Sequence, residues 1–159
     1  MKIYVVPRKF FLDLKGKPEE KDIFANNTII SINTPKYKKQ FPEEEPPFST
    51  RFQKLSNVLI LKFHDSDQAG EDVVLMNEND ADKLVEFISH IDKTKPIIVH
   101  CTAGKSRSQA VGCVLNLYFN KLKYQNQDDY EWYERENKYK RTMNCHVKSL
   151  FLEKILKFL

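Results

Sequence analysis

From Pro96 to Tyr118 the chain passes from a β-branched run, Pro96-Ile97-Ile98-Val99, through the stretch H-C-T-A-G-K-S-R-S (His100 to Ser108), into a segment that is apolar on most faces. The first run predicts a buried parallel strand, and the segment from Ser108 to Tyr118 predicts a buried helix. A loop that joins such a strand to such a helix aims backbone amides, and the positive end of the helix dipole, at whatever lies inside it. An anion site is the natural product.

The side chains in the stretch suit a phosphate dianion. Cys101 stands at one end of the loop, where the helix N-terminus, the loop amides and Arg107 favour its thiolate, which is the nucleophilic form. Arg107 stands at the other end, and its planar fork can hold two phosphoryl oxygens and go on stabilising them as charge redistributes. The backbone of Thr102, Ala103, Gly104, Lys105 and Ser106 is expected to line the anion, with Gly104 allowing the tight turn beneath it. Ser108 is placed to give a hydroxyl hydrogen bond to the sulfur, and His100 to orient Cys101 through backbone contacts. Both are expected to be supporting residues.

The stretch resembles the H-C-x5-R-[ST] signature of the cysteine-dependent protein tyrosine phosphatases, in particular their small dual-specificity branch. The resemblance implies a phosphomonoesterase with a phosphocysteine intermediate, acting on phosphotyrosine, and on phosphoserine or phosphothreonine, in protein substrates. It also implies a carboxylic acid on a separate loop, just after a strand, that protonates the leaving oxygen and then activates water. Asn57 to Phe63 reads as that strand and is followed by His64-Asp65-Ser66-Asp67. Asp65 is the first choice for the acid, Asp67 the second and Asp72 the third. Lys105, two positions before Arg107, matches some relatives that act on inositol lipids. Phosphoinositides and RNA 5′ ends, both served by related small enzymes with the same loop, are the alternative substrates, and a phosphoprotein-binding module without turnover is the reading from another class.

Composition bounds the rest. A chain of 159 residues with 41% apolar and 12% aromatic residues is the size of one domain, here taken as residues 1–159. No apolar run is long enough for a membrane span, and Met1 to Pro7 is too short for a secretory signal. Cys101, Cys113 and Cys145 are odd in number and unpatterned, which argues against a disulfide framework and for a reducing, cytoplasmic setting. Cys113 and Cys145 are expected to be buried helix residues. The four histidines, His64, His90, His100 and His146, lack ligand spacing, so neither metal nor cofactor is expected. The formal charge of +4 has acids and bases interspersed. It suits anionic substrates without implying nucleic acid. Basic clusters at Lys36, Lys38, Lys39 and Arg51, and at Arg135, Lys138, Lys140 and Arg141, read first as solvated faces. A monomer is expected.

Strands are expected at Lys2 to Val6 and Thr28 to Ile32, with a turn or short helix between them. Four prolines between Asn33 and Ser56 exclude regular structure beyond a turn near Arg51. By the family resemblance, that stretch would border the cleft, with its phenylalanines and prolines shaping substrate choice. Asn77 to Ile91 predicts an amphipathic helix with Ala81, Leu84, Val85, Ile88 and Ile91 on one stripe. Helices are also expected from Asp128 to Lys140, carrying Trp132 and Tyr133, and from Val147 to Leu159, with Leu152, Ile155, Leu156 and Leu159 repeating. The sum is an α/β fold of three layers around a mainly parallel sheet, protein tyrosine phosphatase-like, with its site at the carboxyl ends of the strands.

Overall fold

The computed structural model describes residues 1–120 and 143–158. Four strands form one sheet: β1 (Ile3–Pro7), β2 (Thr28–Asn33), β3 (Val58–Lys62) and β4 (Ile97–Cys101), in the order β1-β4-β2-β3. Every pairing is parallel, with Pro7 opposite Cys101, Ser31 opposite His100 and Asn33 opposite Lys62. The carboxyl ends of β1, β4 and β2 therefore finish side by side. Parallel strands need both faces covered, and the near-continuous Ile/Val runs of β2 and β4 meet that need.

Helices α1 (Arg8–Leu14) and α2 (Pro18–Asn26) connect β1 to β2, where the sequence suggested one turn or short helix. Helices α3 (Glu78–Ser89), α4 (Arg107–Asn120) and α5 (Cys145–Phe158) follow. Alternation along the strands divides the core. Ile30, Ile32, Leu61, Ile97, Val99 and Cys101 pack with residues of α3, α4 and α5. Ile29 and Ile98 pack on the other face with Phe11 of α1, Phe24 of α2, and Phe48 and Phe52. The layers are thus helices, sheet and helices.

The phenylalanines of the proline-rich segment divide in the same way. Phe24 stacks on Phe52 at 4.5 Å and lies 4.8 Å from Phe48, so Phe48 and Phe52 belong to the core. Removing one such ring from a packed interior costs roughly 3–5 kcal/mol. The segment is otherwise irregular, apart from a 3-10 turn at Thr50–Phe52, close to the turn anticipated near Arg51.

Helix α3 begins where expected, because Asn77 and Asp80 form a reciprocal capping box, and its buried stripe is Ala81, Leu84, Val85 and Ile88. Helix α5 differs from expectation. Its buried residues are Val147, Phe151 and Ile155, whereas Leu156 is 59% exposed. Cys145, at the first position of α5, is exposed and not buried, while Cys113 is buried; all three cysteines are free. The expected helix from Asp128 to Lys140, the basic cluster from Arg135 to Arg141, and Leu159 lie outside the described residues. No helix among the described residues is long and apolar enough to cross a membrane.

Candidate active site

Because β4 lies between β1 and β2, the loop that leaves its carboxyl end starts from the middle of the sheet and enters α4. Two close approaches fix its shape. Gly104 has φ +70°, and a Cβ there would stand 2.8 Å from both the Pro7 nitrogen and the Val6 carbonyl carbon, so the loop rests directly on the end of β1. In α4, a Cβ on Gly112 would meet Val5 Cγ2 at 2.7 Å, so this glycine lets the helix settle against the same strand.

The loop carbonyls are engaged by their surroundings. Thr102 O accepts from the Arg8 amide at 3.1 Å, and Gly104 O from Gln109 Nε2 at 3.0 Å. Ser106 O accepts from the amides of Ala110 at 3.0 Å and Asn144 at 3.2 Å. In a planar trans peptide the following N–H points opposite to the carbonyl. The amides of Ala103, Lys105 and Arg107 are accordingly turned away from those partners.

A cleft of about 360 Å³ opens over the loop, lined by Asp65, Cys101, Thr102, Ala103, Lys105, Ser106 and Arg107. Cys101 is 2% exposed, and its sulfur lies 3.0 Å from Ser108 Oγ. Arg107 is buried. Its Nη1 donates to Phe63 O at 2.7 Å and its Nη2 to Thr102 Oγ1 at 2.9 Å, while its buried Nε has no hydrogen-bond partner. A buried, unpaired N–H of a charged group is costly.

Of the three candidate acids, Asp65 reaches the cleft. It follows β3, and its Oδ1 accepts from Ser106 Oγ at 2.7 Å and from Asn144 Nδ2 at 2.9 Å. Asp67 and Asp72 are exposed and do not line it. A thiol, a guanidinium and a carboxyl thus line one cleft, a set of groups that can serve nucleophilic displacement with a proton donor.

His100 lies on the opposite face of β4, its ring 5.2 Å from that of Phe11. Its Nδ1 faces Cys101 O at 3.2 Å and therefore donates; its Nε2, 2.6 Å from Ser31 Oγ, then accepts. That assignment uses one ring proton. Burial, aided by the charges of Arg8 and Arg107 and opposed by the bond to Cys101 O, pushes His100 down to about 4. The ring is a neutral brace outside the cleft.

Three participants escaped the sequence reading. Asn144 bonds the carbonyl of Ser106, the Asp65 carboxylate and Ser66 O, and it caps α5 by accepting from the Val147 amide at 3.0 Å. An Asn just ahead of an apolar helical run was the available signal. Glu44 accepts from Thr102 Oγ1 at 2.8 Å and the Thr34 amide at 2.8 Å, with Arg8 at 3.7 Å. Burial alone would raise its carboxyl, but the hydrogen bonds from Thr34 and Thr102 and the charge of Arg8 outweigh burial and hold it below the ordinary range. Within the acidic run Glu43-Glu44-Glu45 nothing marked it out. Gln109, one turn into α4, reads as a helix residue yet secures the Gly104 carbonyl.

Among the described residues, no group of His, Cys, Asp and Glu side chains is placed to hold a metal ion. No family model matches the chain, and no curated protein matches its sequence.

Proposed function

We propose that the chain is a cysteine-dependent phosphomonoesterase of the protein tyrosine phosphatase kind, in its small dual-specificity branch. Its substrates are proteins carrying phosphotyrosine, and phosphoserine or phosphothreonine. The carrying observation is the convergence of Cys101, the buried Arg107 with its unpartnered Nε, and Asp65 on one cleft at the carboxyl end of a parallel sheet.

In this reading the Cys101 thiolate attacks phosphorus, the bond from phosphorus to the substrate oxygen breaks, and Asp65 gives its proton to that oxygen. Arg107 and the amides of Ala103, Lys105 and Arg107 hold the equatorial oxygens as charge shifts among them. Water then attacks the phosphocysteine, the Asp65 carboxylate takes the water's proton, and the sulfur leaves as a thiolate that accepts a hydrogen bond from Ser108 Oγ. A phenolate leaves more easily than an alkoxide, so phosphotyrosine reacts faster. The free cysteines support a reducing, cytoplasmic setting, and we take the working unit to be a monomer.

The test is hydrolysis of para-nitrophenyl phosphate in the presence of a chelator. Wild type turns it over and Cys101→Ser does not. Equal turnover by the two proteins would remove the nucleophile, and with it the mechanism.

A further inference from the structure

Thr34 and Glu44 close the neck of an excursion from the sheet. Thr34 O accepts from the Glu44 amide at 2.9 Å, and Glu44 Oε1 accepts from the Thr34 amide at 2.8 Å. Between them the chain reads Pro35-Lys36-Tyr37-Lys38-Lys39-Gln40-Phe41-Pro42-Glu43, with a bridge joining Tyr37 to Phe41. A closed excursion of this kind is a compact surface loop, and such loops commonly carry recognition.

Both sides of the excursion rest on the candidate site. At the neck, Thr34 Oγ1 lies 3.2 Å from Thr102 Oγ1, and Glu44 accepts from the same hydroxyl. Along the side, His64 Nε2 donates to Pro35 O at 3.2 Å, and the His64 ring meets Tyr37 edge-on at 5.4 Å. His64 directly precedes Asp65. The excursion is therefore a lip of the cleft, fastened to the phosphate loop and to the acid's loop.

The charges on this lip are unbalanced. Glu43 pairs with Lys62 at 2.6 Å, and Glu44 is spent on the neck. Lys36, Lys38 and Lys39 are exposed and have no carboxylate partner among the described residues; Lys38 only lies over the Tyr37 ring, at 5.1 Å. Phe41 is 56% exposed beside them. Three exposed lysines on one loop, beside the proposed phosphate site, offer a complement to further negative charge close to the phosphate.

We propose that the Lys36–Phe41 lip is a specificity surface that selects phosphoprotein segments with acidic side chains flanking the phosphorylated residue. This rests on the proposed phosphatase function and names its substrate class. Lysine pairs at a solvent-exposed rim are individually weak, so the selection comes from two or three acting together and is sensitive to salt.

The experiment compares two phosphotyrosine peptides, one with Asp and Glu flanks and one with Ser and Ala flanks. It uses wild type and a Lys36→Ser, Lys38→Ser, Lys39→Ser triple variant, each rate divided by the same protein's rate on para-nitrophenyl phosphate. The wild type should favour the acidic peptide by about fivefold in kcat/KM at low salt, a ratio that falls toward one in the triple variant or at high ionic strength. Equal wild-type rates, or a preference that survives in the triple variant, would overturn the proposal. So would lysine-dependent binding to phosphatidylcholine vesicles containing phosphatidylserine without any peptide preference, which would give the lip to a membrane surface. A wild type inert on para-nitrophenyl phosphate itself would remove the underlying phosphatase reading, a failure distinct from the loss of selectivity alone.

Discussion

The Asn144 side-chain amide donates to Asp65 Oδ1 at 2.9 Å, tying the first turn of α5 to the loop after β3. The same residue's backbone amide donates to Ser106 O at 3.2 Å. Asn144 thus reinforces the direct contact in which Ser106 Oγ donates to Asp65 Oδ1 at 2.7 Å.

Asn144 is in this account a positioning residue for Asp65, and Asn144→Ser separates that role from helix capping. Serine still caps α5, but a buried side chain loses its bonds to Asp65 and Ser66 O, so stability should fall by about 1–3 kcal/mol. The contact with Asp65 is lost, and phenyl phosphate should slow several-fold more than para-nitrophenyl phosphate, because a poor leaving group depends more on the proton. Equal slowing of the two esters would assign Asn144 a purely structural part.

Gly104 and Gly16 make a controlled pair. Both have positive φ, +70° and +79°, but a Cβ on Gly16 meets nothing within 4 Å, whereas on Gly104 it runs into the backbone of Val6 and Pro7. Gly16→Ala should cost about 1 kcal/mol, the left-handed penalty alone. Gly104→Ala adds a backbone clash and should cost at least about 2 kcal/mol more, with loss of affinity for inorganic phosphate. Urea denaturation of the two variants, with a phosphate titration of the second, checks both. Similar losses of stability would mean that the loop does not rest on β1 as described.

His100 predicts a pH dependence of stability. Its folded value of about 4 lies below the ordinary 6.5, so between these values the unfolded chain binds a proton that the folded chain refuses. Stability is then complete above about pH 6.5 and falls as the pH drops toward 4, by on the order of 3 kcal/mol in all. Glu44, held below its ordinary 4.5, contributes stability that is present above that value and is lost only at lower pH. Urea midpoints at pH 7.5 and 4.5 should differ more for wild type than for His100→Asn, which starts less stable. Parallel pH profiles for the two proteins would contradict the neutral, buried brace.

Strands β2 and β4 were legible because runs rich in β-branched residues and buried on both faces leave little choice of structure, and β1 and β3 because their apolar runs are short and bounded. Cys101, Arg107 and Ser108 were legible because their spacing is local and the loop sits between two readable elements. Asp65 could be preferred but not separated from Asp67, since nothing short of the fold says which carboxylate meets Ser106 and Asn144. Helix α5 carries apolar residues on adjoining stripes, Leu150, Phe151, Leu152, Ile155 and Leu156. Which stripe faces inward is decided by α3 and α4, not by periodicity. Glu44 and Asn144 were hidden for the same reason, as their roles come from partners distant in the chain.

In the proposed reaction Cys101 carries the phosphoryl group during turnover. The most direct measurement is mass analysis of peptides from the wild type quenched in acid during hydrolysis of para-nitrophenyl phosphate. A phosphoryl group on the peptide containing Cys101, absent from Cys101→Ser, is the predicted result. Steady turnover with no phosphorylated peptide, or with the group on a residue other than Cys101, would contradict the account.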